Sequence, residues 1–172
     1  MGTYIPLAKT VLTGTQATVT FSSISNAYTD LLLSISARSD RASWVDNINL
    51  QINSLAVGNY SQTDVYAYGT SALSNRLIRT DNQLIRLYAI DGATATSNTF
   101  GSMEIYIPNY TGSTLKPVSI SFNNENNSSA DFQLGASAVL ANTTSAITSL
   151  TLTPQYGTNF VSGSRFDLYG II

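Results

Sequence analysis

The chain has 172 residues, the length of one domain, and its 43% hydrophobic content is enough for a core that needs no disulfide or metal. Its net charge is −2 and its eight lysines and arginines are scattered, so we expect no nucleic-acid partner. Cysteine and histidine are absent, which excludes disulfides, zinc–thiolate sites and catalytic thiols.

Apolar and polar residues alternate along much of the chain. In chain order, the alternating runs are residues 17–21, 31–37, 47–53, 103–107, 118–122, 132–138, 147–152 and 166–168. A period of two predicts strands with one face in a core and the other in water, and hence antiparallel sheets. In the run at 132–138, the predicted buried face consists of Phe132, Leu134, Ala136 and Ala138.

The segments between these runs are rich in turn residues. Residues 70–78 come nearest to a helical pattern and predict at most a short turn of helix, and the polar residues 123–129 predict an exposed loop. Many short strands without strong helical periodicity predict an all-β protein. We expect a single domain over residues 1–172, an antiparallel two-sheet β-sandwich of jelly-roll type.

The end of the sequence is unusually apolar. Phe166 and Leu168 alternate with polar residues, and Ile171 and Ile172 follow. Burying one isoleucine side chain is worth about 1.5–3 kcal/mol, which would oppose the fraying expected of a terminus. The isoleucines therefore predict that the last strand is central in a sheet, or that something outside the chain covers it.

Carboxylates are the main candidates for chemistry. Glu104 could act with an aspartate or with Glu125 as a glycosidase pair, or it could simply decorate the wet face of its strand. Residues 123–131 offer oxygen ligands for calcium, although their spacing matches no calcium loop and a solvated loop is the alternative. We expect no enzyme activity, no cofactor and no metal. No apolar run could span a bilayer, so we also expect no membrane partner.

Aromatic residues are the candidates for an interface. The single tryptophan, Trp44, could be exposed to a partner or lie under the rim of the sandwich. The ten tyrosines suit the half-buried face of strands, but exposed tyrosines also suit protein interfaces and sugar rings. The residues that we select as a partner interface are Trp44, Tyr66, Tyr68 and Tyr110.

A series of short motifs resembles small β-sandwich virion proteins of tailed bacteriophages. The motifs cover almost the whole chain in order: residues 21–24 with 28–31, residues 59–61, Ile107 to Tyr110 with Lys116, residues 146–152, and the closing residues 159–171. The sequence departs from the family pattern at residues 143–145, Thr-Thr-Ser, where members often carry an aromatic residue.

The resemblance implies a structural role in the virion, after synthesis in the host cytoplasm. Such domains occur as capsid decoration proteins, head fibres and tail-fibre modules. No heptad or low-complexity shaft is present, which favours decoration of the shell. We therefore expect a cement protein that binds the major capsid protein or other virion proteins. The alternative is a receptor-binding module of the tail that binds a glycan. The resemblance also implies a homo-oligomer, with a trimer favoured.

Overall fold

The computed structural model describes residues 2–128 and 132–172. This part of the chain contains twelve strands and one 3₁₀ turn, Arg79–Asp81. In chain order the strands are β1 (Tyr4–Val11), β2 (Val19–Phe21), β3 (Asp30–Ala37), β4 (Val45–Ile52), β5 (Tyr60–Tyr68), β6 (Ser71–Leu77), β7 (Ile85–Asp91), β8 (Gly101–Ile107), β9 (Lys116–Asn123), β10 (Gln133–Ala141), β11 (Leu150–Pro154) and β12 (Arg165–Ile171). Each of the eight predicted runs contains or overlaps a strand.

The strands form two antiparallel sheets that pack together. One sheet has eight strands in the order β1-β12-β3-β8-β9-β10-β5-β6, and the other has four in the order β2-β11-β4-β7. Within them, β1 pairs with β12, β2 with β11, β3 with β8 and β4 with β7. This nesting of early strands with late strands across two sheets is the jelly-roll arrangement. The predicted all-β two-sheet sandwich is confirmed.

We call the eight nested strands the jelly-roll half. They enclose most of the apolar core, to which the inner faces of β9 and β10 also contribute. Leu33 of β3, Leu50 of β4 and Ile105 of β8 have no exposed surface, and each is flanked along its strand by residues on the wet face. Burial of each such side chain is worth about 1.5–3 kcal/mol. Phe160 and Phe166 add an edge-to-face ring pair with centroids 5.0 Å apart.

The remaining strands, β5, β6, β9 and β10, lengthen one sheet beyond the jelly roll, and we call them the extension. β9 pairs with β8, β10 pairs with β9, and the β5–β6 hairpin completes the sheet. The hairpin turns through only Gly69 and Thr70, between the paired residues Tyr68 and Ser71. Gly69 has φ +54°, a left-handed conformation that glycine adopts without steric cost.

The final strand lies inside a sheet, as one of the two sequence-based alternatives predicted. β12 pairs with β1 on one side and with β3 on the other. Ile171 is buried on this strand, whereas Ile172 lies beyond it and is exposed.

Two local predictions were wrong. Residues 71–77 form strand β6, and the only helical turn nearby is the 3₁₀ turn Arg79–Asp81, because β6 gains its ladder of hydrogen bonds from β5. The segment after β9 is not simply an exposed loop. Asn124 and Asn126 are buried, and their amides donate to the Asp91 carboxylate over 3.4 Å and 3.3 Å.

Candidate binding surface

A row of short side chains crosses the outer face of the eight-stranded sheet. The strand registers place these residues opposite one another in sequence from β3 to β6: Ser34, Glu104, Ser121, Ala136, Val65 and Ser74. A second row, one step along the strands, consists of Ser102, Asn123, Leu134, Ala67 and Ala72. Directly opposite residues in antiparallel strands lie about 4.5–5.5 Å apart, so each row forms a continuous surface.

These two rows line an open groove with a volume of about 1150 Å³. The floor is low because most of its side chains are serine or alanine. Val65 and Leu134 are the largest apolar groups that project from the floor, and they are 59% and 58% exposed. The groove therefore presents aliphatic and hydroxyl groups to solvent across six strands.

The groove carries little charge. Glu104 is the only charged residue among the described residues that line it. Arg76 lies one row away, where its Nη1 donates to Thr63 Oγ1 at 2.8 Å. A partner on such a surface would be held by contact area and by neutral hydrogen bonds. Salt would weaken this binding little, because salt screens mainly the interactions of exposed charges.

The underside of the groove is packed with aromatic rings. Tyr66 stacks on Tyr88 and Tyr88 stacks on Phe122, each with centroids 5.5 Å apart. Gly135 lies above this stack, and a Cβ there would come within 2.7 Å of the Phe122 ring and 2.5 Å of the Val65 carbonyl oxygen. The missing side chain lets the stack approach the backbone of β10 and supports the floor from below.

Polar side chains attach the extension to β7, the edge strand of the smaller sheet. The Gln62 amide donates to the Arg86 carbonyl at 2.7 Å and accepts from the Arg86 N–H at 2.9 Å, so it replaces a neighbouring strand at this edge. Asp64 is buried and accepts from Gln62 Nε2 at 2.7 Å and from the Tyr88 hydroxyl at 3.0 Å.

Ionisation of the tyrosine in this network is suppressed. Burial raises the pKa of Tyr88 above its usual 10.0, and the negative charge of Asp64 raises it further. The phenol therefore keeps its proton and donates to Asp64. The network therefore attaches β5, which forms part of the floor of the groove, to β7.

The structure brings together only some of the aromatic residues selected from the sequence. Trp44 is half-buried and stacks on Tyr68 with centroids 5.5 Å apart, and Tyr68 is 41% exposed. Tyr66 and Tyr68 alternate with Val65 and Ala67, so their rings lie on the face of β5 opposite the groove. Trp44 and Tyr68 thus form an exposed rim, whereas Tyr66 belongs to the stack beneath the floor.

The choice of Tyr110 as an interface residue was wrong. Tyr110 has no exposed surface, and its hydroxyl donates to the Ser25 carbonyl. Burial raises the pKa of Tyr110, so this donor stays protonated. The side chain connects the β8–β9 turn to the segment before β3, and it is not available to a partner in this structure.

The carboxylate candidates have simple surroundings. Glu104 is exposed between Ser34 and Ser121, and the described residues that line the groove include no second carboxylate. Of the oxygen-rich residues 123–131, Asp131 lies outside the described residues. The side-chain amides of Asn124 and Asn126 donate hydrogen bonds to the Asp91 carboxylate.

The sequence analysis missed the groove because it assigned one face of β10 to the core. Leu134, Ala136 and Ala138 are exposed, while Ser137 and Val139 face inward, the reverse of the prediction. The alternation of apolar residues was read correctly as a strand, but period two does not say which face is covered. Nothing in residues 132–138 taken alone shows that the apolar face of this strand is the exposed one.

Comparisons of the chain with protein-family models, with curated proteins and with solved structures find no match. Within residues 2–128 and 132–172, no helix is long and apolar enough to cross a bilayer. Function is therefore inferred from the fold and from the groove.

Proposed function

We propose that this protein is a structural component of a tailed-phage virion that binds the capsid surface through its groove as a decoration or cement protein. The observation that carries the proposal is the apolar outer face of β10, where Leu134 is 58% exposed on a rigid, almost uncharged floor. Contiguous exposed apolar surface on a stable domain is characteristic of sites for protein partners. The resemblance to small virion proteins leaves capsid and tail roles open, and the absence of a shaft in the sequence favours the major capsid protein as the partner.

The proposed mechanism is adhesion without turnover. The protein would bury its groove against neighbouring capsid subunits and so bind only the assembled shell. A ligand that binds one state and not another stabilises that state by mass action. The jelly-roll half supplies a rigid base, and the extension supplies the contact surface. On this proposal the protein needs no cofactor, metal, nucleic acid or membrane.

The first test uses whole particles. Virions that lack the protein should rupture at a lower temperature, or at a lower internal pressure, than virions that carry it. Restoring the purified protein to depleted particles should restore the rupture temperature. An unchanged rupture temperature after removal of the protein would refute the cement role.

A second test locates the contact on the protein. Ser121→Lys would place a long charged side chain in the middle of the groove, so we expect at least about tenfold weaker binding to depleted particles, equivalent to 1.4 kcal/mol. The matched control is Thr20→Lys, which makes a comparable change at an exposed position on the four-stranded sheet. Equal binding by both variants would exclude the groove as the capsid contact.

The second candidate function is glycan binding by a tail-fibre or tail-tip module. The observation in its favour is the polar part of the groove, where Ser102, Glu104 and Asn123 could form hydrogen bonds to sugar hydroxyls. The aromatic rings among the described lining residues, Tyr66 and Phe122, belong to the stack beneath the floor, and this favours the capsid partner over stacking on a sugar ring. A glycan array separates the two, since specific glycan binding that Ser121→Lys abolishes would support the tail module.

A further inference from the structure

The two sheets have four edge strands, and three of them are blocked. On β1, Pro6 lacks an N–H, Lys9 adds a charge, and the register shifts between Pro6 and Ala8. Proline, lysine and bulges at an edge are the features that prevent another strand from pairing there. On the smaller sheet, β2 has only three residues, and the Gln62 side chain occupies the edge of β7.

The fourth edge, β6, has none of these features. Its seven residues, Ser71–Leu77, pair with β5 in an unbroken register and include no proline, lysine or acidic residue. Arg76 is its only charged residue, and its guanidinium points back to Thr63 of β5. The strand is exposed over most of its length, and nothing within the described chain covers its outer edge.

The hydrogen-bonding groups that face outward on β6 can be identified. The Gly69 N–H donates to the Phe132 carbonyl, which is on the β10 side of β5. Because backbone groups alternate in direction along a strand, Tyr68 and Tyr66 point their N–H and C=O groups to β6, where they meet Ser71 and Leu73. The N–H and C=O groups of Ala72, Ser74 and Arg76 therefore point away from the sheet.

We propose that β6 is a dimerisation edge, at which β6 of a second copy of this chain pairs antiparallel about a two-fold axis through Ser74. In this register Ser74 faces its own equivalent, Ala72 of one copy faces Arg76 of the other, and Leu73 faces Asn75. The outward groups of these residues would form about six backbone hydrogen bonds. The inference does not depend on capsid binding, because it concerns the backbone edge of β6 and a second copy as the partner, whereas the proposed capsid contact is the outer face of the sheet, to which Ala72 and Ser74 also contribute.

Charge and shape favour a second copy as the occupant. No like charges lie opposite one another in this register, and the two Arg76 Cα atoms would be about 14 Å apart, beyond the screening length at physiological salt. A two-fold interface must be self-complementary, and this segment meets that condition because on its groove side Ser74 would face Ser74 and the long Arg76 would face the small Ala72. The pair would also join the two grooves into one surface across both copies.

The test is the oligomeric state in solution, measured by sedimentation velocity over a concentration series. The wild-type protein should sediment as a dimer that dissociates on dilution. Ser74→Pro removes an N–H that points outward, so it should leave the β5–β6 ladder intact while weakening dimerisation at least about tenfold. Ser74→Lys retains the backbone and places two lysines face to face, so it should also shift the protein towards monomer.

The matched control is Ser119→Lys, which adds the same side chain to an exposed position on the same face but on the interior strand β9. This variant should dimerise like the wild type. If Ser74→Pro fails to fold, as judged by circular dichroism, Ser74→Lys against Ser119→Lys decides the question. A wild-type monomer, a trimer, or a dimer that tolerates the Ser74 variants as well as Ser119→Lys would overturn the proposal.

Discussion

The jelly-roll half and the extension share one continuous sheet but are held in place by different interactions. In the jelly-roll half, the facing strands bury leucine, isoleucine and phenylalanine against one another, as at Leu33, Leu50 and Phe166. In the extension, the inner face of β5 presents Gln62 and Asp64, which bond to β7 and to Tyr88.

The difference follows from what lies opposite each part. The four-stranded sheet has β7 as its last strand on this side, so β9 still packs its apolar inner face against the core, whereas β5, farther out, meets only the edge of β7. An edge offers free backbone groups, which polar side chains can satisfy, and little apolar surface. The comparison teaches that apolar packing continues from the jelly-roll half as far as the inner faces of β9 and β10, and that polar side chains replace it at β5, while Leu134 of β10 stays exposed on the outer face.

The largest expected effect contrasts a leucine in each region. Leu33→Ala removes a fully buried side chain from the jelly-roll half and should lower the free energy of unfolding by about 2–5 kcal/mol. Leu134→Ala makes the same chemical change in the groove and should alter it by no more than about 0.5 kcal/mol. Urea denaturation measures both. Equal losses would mean that the groove floor is part of the core.

The next prediction tests the hydrogen bonds that join the extension to β7. Asp64→Ala leaves Gln62 Nε2 and the Tyr88 hydroxyl without their buried acceptor and should cost about 1–3 kcal/mol of unfolding free energy. Asp64→Asn keeps one acceptor oxygen, so it should lower the free energy of unfolding by less than Asp64→Ala does. Thermal unfolding of the three proteins ranks them. A stability ranking that places Asn below Ala would contradict the assignment of Asp64 as an acceptor.

Because the residues beneath the groove are closely packed, adding even one methyl group there should lower the free energy of unfolding. Gly135→Ala places a methyl group against Phe122 and the Val65 carbonyl and should destabilise the protein by about 1–3 kcal/mol. Ala138→Ser, on the outward face of the same strand, is the control and should change the unfolding midpoint in urea very little. If Gly135→Ala were neutral, the aromatic stack would have room to move away from β10.

In the extension, a buried lysine should make the free energy of unfolding depend on pH in the alkaline range. Lys116 has no exposed surface, its ammonium donates to the Gly112 and Thr114 carbonyls, and burial lowers its pKa below 10.5. The unfolded chain then binds this proton more tightly, so stability increases as pH rises towards the ordinary value. Wild type should therefore gain stability relative to Lys116→Met from neutral to alkaline pH. A constant difference would show that Lys116 has an ordinary pKa.

The smallest effect is at acidic pH in the jelly-roll half. Desolvation raises the pKa of Asp40, but hydrogen bonds from Asn159 and Thr158 outweigh it, so the net pKa lies below its usual 3.8. Its stabilising contribution is present above the unfolded value and is lost as pH falls through the folded value. The difference in melting temperature between wild type and Asp40→Asn should narrow below about pH 4. If the difference in melting temperature persisted into strong acid, ionisation of the Asp40 carboxylate would not be its cause.

The jelly-roll half could be predicted from the sequence more fully than the extension. β3 and β4 alternate strictly between buried and partly exposed positions, and apart from Leu32, Val45 and Asp46 their apolar and polar residues follow this alternation, because one sheet face meets the core and the other meets water. β7 is buried at six of its seven positions and shows no alternation. β5 places Gln62 and Asp64 inward, so its pattern runs against the usual expectation, and β6 is a polar edge that resembles a loop.

The groove could not be predicted for a related reason. Its rows join residues from six strands, and only the registers show that Ser121 lies between Glu104 and Ala136. Sequence periodicity places each residue on a face but does not identify the neighbours across the sheet. Selection by residue type therefore favoured tyrosines, of which Tyr110 supports the core, and overlooked the short side chains that create the surface.

The pairing of β1 with β12 also has a consequence for how the protein is made. In the described chain β1 has no other strand partner, and β12 separates it from β3. During synthesis β1 must therefore remain unpaired until β12, its strand partner in the described chain, has been made. Topologies whose strands pair across such long stretches of sequence fold slowly, and their folding intermediates expose apolar surface and unpaired strand edges. The proline and lysine of β1 would then protect this edge from unwanted strand pairing in the nascent chain as well as in the folded protein.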